Sequence, residues 1–288
     1  MRAILKHELS SYFTGLTAYV FGAFVLLFAG IYTMVYNLRA GYANFEYVLG
    51  SMSFVFIVIV PILTMRVLSE ERRQKTDTLL YSLPISTTEI ILGKFLAMLL
   101  ILLVPMVIMG FYPLILKAFG NVYLPAAYAS LLAFFLVGAA LLAIGMFISS
   151  LTESQAVAAG ACFIVMLINY FGSSLASYIS NSALPSVIAF SVLVIALALL
   201  IRFMTKNGFT AIIVGCVFEI ALIALYLFKS SIFEGLFPNM MSKISLFDRL
   251  YTVINGMLKI QDLVYFLTVT GIFLFLSVQS FERKRWSE

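Results

Sequence analysis

The amino-acid sequence predicts an all-α integral membrane protein, and two properties carry this prediction. Of its 288 residues, 63% are hydrophobic and only 11% are charged, whereas a soluble domain carries roughly 25% charged residues. Apolar runs long enough to cross a bilayer as helices recur along the chain, and the short alternating segments of a membrane β-barrel are absent from the sequence. Lipid must therefore face much of the protein, and a cytoplasmic membrane is the expected location.

About eight transmembrane helices are predicted, each close to the length that spans the hydrocarbon core. The apolar runs cover residues 16–36, 48–68, 95–117, 126–150, 156–177, 184–204, 209–228 and 262–281. With the N-terminus inside, the inner segments hold about twice as many Lys and Arg residues as the outer ones, as the positive-inside rule requires. An even number of spans then places both termini in the cytoplasm.

Two terminal or connecting segments are predicted to lie at the membrane surface. Residues 2–15 form an N-terminal interfacial helix, with an extension of the first span as the alternative. Residues 229–261 lie outside the cell and form interfacial or re-entrant helices, with breaks at Pro238 and Gly256. The apolar side of the N-terminal helix would hold Ile4, Leu5, Leu9, Tyr12 and Phe13.

The segment 69–93 holds the densest charge in the chain and is predicted to face the cytoplasm. Acidic side chains and then basic ones occupy its first two turns, and Pro84 interrupts the apolar stretch that follows. Ser86 or Thr87 would cap a new helix, with Glu89 in the first turn. A short charged helix, an apolar turn and a second helix are predicted to form a docking segment for another protein. A solvated loop is the alternative.

The sequence lacks the residue patterns of a catalytic or metal site. Its single histidine is His7, and Cys162 and Cys216 fall in separate apolar runs without metal-ligand spacing. The Gly-Lys pair at 93–94 has no earlier glycine at the spacing of a phosphate-binding loop. No metal and no cofactor are expected on this chain. The basic composition follows from the positive-inside rule, so no nucleic-acid partner is predicted.

A few polar side chains inside the spans are candidate pathway residues. Glu219 is the acid that lies clearly mid-span, where a charge costs about 2.5–3.5 kcal/mol on insertion scales. Hydrogen bonding between helices explains such residues equally well. The milder polar residues that could edge a pathway are Ser53, Thr64, Asn169 and Ser173.

The fourth span is predicted to pack closely against a neighbouring helix. Small residues let two backbones approach within a membrane, where packing rather than water exclusion holds helices together. The small residues of this span are Gly138, Ala139, Ala140, Ala143 and Gly145.

Four stretches in order resemble the permease subunits of ABC-2 type transporters, nearest to the gliding-motility (GldF-like) branch. They are ILKHELSSYFTGLTAYVF at 4–21, EERRQKTDTLLYSLPISTTEIILGKF at 70–95, AALLAIGMFISSLTESQAVAA at 139–159 and QDLVYFLTVTGIFLFLSVQSFERKRW at 261–286. This family commonly has six spans, so the resemblance implies that 178–228 holds an inserted helix pair. Leu16 stands where the family's entrance has proline, and residues 75–78 depart from its Gly-Thr-x-Glu.

The resemblance implies a non-enzymatic permease subunit that exports or extrudes a substrate. A separate ABC ATPase would bind ATP and magnesium and supply the energy, and the permease would pair with a second copy or a related subunit. The family's loop after the second span contacts the ATPase. The positions that correspond to this coupling element are Glu70, Glu71, Arg72, Arg73, Leu79, Leu80, Leu83 and Pro84.

Two functions of other classes are the alternatives. An ion-coupled secondary carrier centred on Glu219 would transport without ATP and fail when Glu219 becomes Gln. A membrane scaffold would transport nothing in vesicles.

Overall fold

The chain folds almost entirely into helices. A computed structural model describes residues 1–74, 86–180, 182–205 and 208–285, and no strand occurs in these ranges. A π-helical turn, Met34–Arg39, extends α2, and a 3-10 turn, Ser230–Phe233, follows α11. The α-helices are α1 (Arg2–Thr14), α2 (Thr17–Thr33), α3 (Glu46–Met52), α4 (Val55–Thr64), α5 (Ser69–Gln74), α6 (Thr87–Gly110), α7 (Tyr112–Phe119), α8 (Leu124–Leu151), α9 (Gln155–Ser177), α10 (Ala183–Thr205), α11 (Gly208–Phe228), α12 (Leu236–Ile244), α13 (Leu246–Ile254) and α14 (Ile260–Arg285).

Each of the eight predicted spans coincides with helical structure, which confirms an all-α, multi-pass membrane protein. Among the described residues, five helices are long and apolar enough to cross a membrane, and up to seven spans result if each of two bent pairs counts as one. This number is lower than the eight that the sequence predicts. The described apolar stretch of α10 covers only Ala183–Ile195, which is too short to qualify.

The chain divides into two compact units. Met1–Tyr170 and Arg249–Glu288 form the first unit, and Phe171–Asp248 forms the second. The segment 178–228, which the resemblance treats as an inserted pair, lies in the second unit and contains α10 and α11.

Residues 229–261 form short helices. The axes of α11 and of the Ser230–Ile244 segment meet at 113°, the geometry of a broken span or a re-entrant loop. Gly235, with φ of 64°, precedes α12, whereas Pro238 lies inside the first turn of that helix. The expected break at Pro238 was therefore wrong, because proline is tolerated in a first helical turn. The expected break at Gly256 is confirmed, since this residue has φ of 85° and follows α13.

The second span is bent by 60° between α3 and α4, where the sequence predicts an uninterrupted helix. Ser53 lies at the bend, and its hydroxyl donates to the Gly50 carbonyl at 2.7 Å. The hydroxyls of Ser53 and Tyr251 are 3.1 Å apart. These bonds satisfy polar groups at the break, which is necessary where lipid offers no hydrogen-bonding partner.

The fourth span, α8, packs closely against α4 and α6, which confirms the prediction from its small residues. A Cβ atom built on Gly138 would lie 2.7 Å from Leu102 Cδ2 and 3.0 Å from Phe56 Cζ. A Cβ atom on Gly145 would lie 2.5 Å from Thr64 Oγ1. Neither position has room for another carbon, so the two glycines set the distance between the helices.

Met1 and the last turn of α14 lie at one end of the first unit. The Met1 amine is 4.0 Å from the Glu89 carboxylate at the start of α6. The Thr87 hydroxyl donates to Glu282 of α14 at 2.5 Å. The helix predicted for residues 2–15 is α1, and it lies here. This end, formed by α1, α5, the first turns of α6 and the last turns of α8 and α14, is termed the basal end.

The close contact between α4 and α8 predicts that Gly145→Ala lowers the melting temperature of the purified protein. Overpacking of this kind costs about 1–3 kcal/mol, more than the gain of about 1 kcal/mol when alanine replaces glycine in a helix. Gly160→Ala is the control, since a Cβ atom there meets nothing within 4 Å. Thermal unfolding in detergent measures the difference, and equal melting temperatures for both variants would contradict a tight contact.

Candidate functional site

The charged segment after the second span lies at the basal end. It begins with α5, and its residues 75–85 fall outside the described part of the chain. The sequence prediction for the next helix is confirmed: Ser86 is the N-cap of α6, and its hydroxyl accepts the Glu89 N–H at 3.3 Å. The predicted coupling residues that lie outside the described ranges are Leu79, Leu80, Leu83 and Pro84.

One buried hydroxyl holds the start of α5 against α8. Ser149 is 1% exposed, and its Oγ accepts the backbone N–H groups of Leu68 and Ser69, each at 3.2 Å. The same hydroxyl donates to the Met65 carbonyl at 3.4 Å. The first N–H groups of a helix have no partner inside it, so a residue of another span completes the hydrogen bonding here. The start of α5 is therefore fixed to the end of α8.

A buried ammonium joins three separate helices. The side chain of Lys94 in α6 is 3% exposed, and its Nζ lies 2.5 Å from Glu8 Oε1 of α1 and 2.6 Å from Glu71 Oε1 of α5. Removing an ammonium from water costs several kcal/mol unless close partners replace the lost hydration. Both carboxylates supply that replacement. The three side chains Glu8, Lys94 and Glu71 are termed the ion bridge.

The N-terminal helix lies directly against α6. A Cβ atom on Gly93 would be 3.1 Å from Ile4 Cγ2, so the glycine allows this approach. The predicted apolar side of α1 faces the protein except for Phe13, which is 39% exposed, and Glu8 shares that side. Burial, and then the Glu8 carboxylate, raise the pKa of the Tyr12 phenol, which therefore stays protonated.

The remaining charged residues of α5 differ in their surroundings. Arg72 is 5% exposed, whereas Arg73 is exposed. Glu70 forms an ion pair with Arg66 one turn earlier, at 3.0 Å. Such a pair near the surface contributes little to stability. Arg73 is therefore the basic group that α5 presents outward.

Three of the predicted pathway residues, Ser53, Thr64 and Asn169, belong to the first unit, and Ser173 belongs to the second. Ser53 is at the bend of the second span, and Thr64 is at the end of α4, where its hydroxyl donates to the Val60 carbonyl at 2.8 Å. Asn169 is half-buried in α9, and the side chain of Ser173 lies outside the described residues. The hydroxyls of Ser53 and Thr64 are satisfied by backbone carbonyls of their own span, and a pathway role stays a prediction.

Glu219 belongs to the second unit. Its Oε2 accepts the Ser191 hydroxyl of α10 at 2.9 Å. This hydrogen bond joins α10 to α11 and accounts for a polar residue at mid-span without an ion relay. Among the described residues, no three His, Cys, Asp or Glu side chains are grouped so that they could hold a metal.

Sequence reasoning missed three residues of the basal end: Glu8, Lys94 and Ser149. The sequence does contain a signal for Lys94. A cation within an apolar helix predicts an acidic partner, and the neighbouring segments contain only a few acids that could serve. No sequence signal marks Ser149, since its role depends on the backbone of α5.

A family model described as "ABC-2 family transporter protein" matches residues 31–188, more than half of the chain. The matched range begins in α2 and ends in α10, so it includes α5, Lys94 and Ser149. A comparison with curated proteins finds no match.

The hydrogen bonds of Ser149 predict that Ser149→Ala loosens α5. The variant leaves two buried N–H groups without their acceptor, at a cost of about 1–3 kcal/mol, and each 1.4 kcal/mol corresponds to about a tenfold change in an equilibrium. Hydrogen exchange of a peptide covering 66–74, followed by mass spectrometry, should accelerate accordingly.

Ser150→Ala is the matched control for this experiment. Its hydroxyl donates to the Phe147 carbonyl of its own helix at 2.6 Å, so its loss removes a donor and leaves no α5 N–H group exposed. Equal exchange in the two variants would contradict the role of Ser149.

Proposed function

Because the chain belongs to the ABC-2 family of transporter proteins, we propose that its basal end binds a separate ABC ATPase and passes the motion of that ATPase to the membrane spans. The chain is the membrane component of the transporter. ATP and magnesium bind to the partner, since the sequence of this chain contains no phosphate-binding loop.

The observation that carries this proposal is the attachment of α5. Ser149 holds its start to α8, and Lys94 holds it to α6 and, through Glu8, to α1. A coupling element must move together with the spans rather than bend alone, because a soft connection would absorb the displacement. The short helix α5 meets this requirement while Arg73 stays exposed for contact with a partner.

The basal end faces the cytoplasm in this proposal, and both termini lie there in a cell membrane. Basic residues of α1, α5 and their neighbours gather at this end, as the positive-inside rule requires for cytoplasmic segments. The resemblance to the gliding-motility branch favours export or extrusion of the substrate. It also favours assembly with a second copy or a related permease subunit. The basic residues are Arg2, Lys6, Arg66, Arg72, Arg73, Lys94 and Arg283.

Neither alternative function gains support from the structure. The hydrogen bond between Glu219 and Ser191 explains Glu219 as a contact between α10 and α11. The family favours an ABC transporter over an ion-coupled carrier or a scaffold.

Purification tests this proposal with the tagged full chain extracted from its native membrane in mild detergent. An ATPase subunit should co-elute, identified by mass spectrometry and by magnesium-dependent ATP hydrolysis. Arg73→Ala should lower the hydrolysis per permease severalfold, because α5 loses its outward basic group. Lys117→Ala removes an exposed cation from α7, at the far end of α6, and serves as the matched control. Absence of an ATPase from the wild-type eluate would overturn the proposal.

A further inference from the structure

The ion bridge contains two carboxylates and only one ammonium, and all three groups come from different helices. Glu8 belongs to α1, Glu71 to α5 and Lys94 to α6. Because both carboxylate oxygens approach the same nitrogen, the two acids are also close neighbours. Like charges at short range in a poorly hydrated site repel strongly. Lys94 therefore does more than attract each acid, since its charge also allows the two acids to stay together.

We propose that Lys94 is a positioning residue that holds α1 and α5 together as one coupling unit. This inference rests on the proposed function of α5 as the element that contacts the ATPase. The consequence is that the N-terminal helix takes part in transmission. Without Lys94, repulsion between Glu8 and Glu71 would drive α1 and α5 apart.

The packing around the bridge shows how a displacement of α5 would spread. The backbone of α1 packs along α6 and α2, with Ile4 seated at Gly93, the residue that precedes Lys94. After Gly15 and Leu16, the chain continues directly into α2. A movement of α5 is thus passed through the ion bridge to the first and third spans, and through Ser149 to the fourth.

Removing one acid from the ion bridge and removing its cation should affect the site differently. Glu8→Gln leaves Lys94 paired with Glu71, so it should disturb the site mildly. Lys94→Gln takes the shared cation away from both carboxylates, and breaking a buried ion pair in this way is strongly destabilising. Removing one carboxylate as well, in Lys94→Gln with Glu8→Gln, ends the repulsion. The positioning role therefore predicts that the second substitution reverses part of the damage from the first.

Electron paramagnetic resonance tests this prediction on the purified full chain. Spin labels are attached at Lys6→Cys in α1 and Arg73→Cys in α5, both at exposed positions. Every labelled variant also carries Cys216→Ser, because the exposed Cys216 would react with the label. Cys162 is buried and therefore protected from it. Lys94→Gln should broaden the distribution of distances between the labels and shift it to longer values. Adding Glu8→Gln should narrow it again, and Lys117→Gln should leave it unchanged.

If Lys94 merely filled space, the effects of the two substitutions would add. The double variant would then show a wider distribution of label distances than Lys94→Gln alone. An unchanged distribution in Lys94→Gln, or a double variant wider than Lys94→Gln, overturns the positioning role. The label experiment needs no ATPase, so it is independent of the docking proposal.

The amount of ATPase that co-purifies with the unlabelled variants separates the two proposals. It should fall in Lys94→Gln and recover in the double variant. A change in label distance without any change in bound ATPase would overturn the docking function of α5 and leave the positioning role of Lys94 intact.

Discussion

The basal end is organised by one constraint, which is that polar groups buried away from water must find their partners inside the protein. Helix α4 ends at Thr64, and the N–H groups of Leu68 and Ser69 then bond to Ser149 of another span. The Lys94 ammonium meets the same constraint with two carboxylates. Both solutions use residues from neighbouring helices. The bonds that satisfy polar groups are therefore also the bonds that fix α5 to the spans.

Most of the helical architecture follows from local properties of the sequence. Apolar length predicts the spans, small residues predict the close packing of α8, and Ser86 predicts the start of α6. The bend of the second span was not predictable in this way, because Tyr251, which contacts Ser53, lies 198 residues away. Pro238 failed as a predicted break because the effect of proline depends on its place in a helix, and that place was unknown.

The candidate site was only partly predictable. The dense charge identified the segment, but it does not reveal which side of a six-residue helix faces the protein. Glu71 was predicted as a docking residue, and it turns inward to Lys94. Arg72, assigned the same role, is almost fully buried. The docking role of these positions stays a prediction, and the structure adds that Glu71 acts within the protein. The sequence does not predict Glu8 and Ser149 as site residues, because their bonding partners belong to other helices.

Stability alone does not explain why charged groups occupy this contact. Apolar side chains of similar volume often stabilise a buried contact as well as an ion pair does, or better. Apolar attraction is, however, non-directional, so apolar contacts alone set the position of α1 along α6 less sharply. Two short bonds to one ammonium set the position of α1 along the helix axis as well as its distance, because Lys94 meets both carboxylates in a single arrangement. A coupling element needs this fixed register, since a displacement is transmitted only between parts that cannot slip past one another.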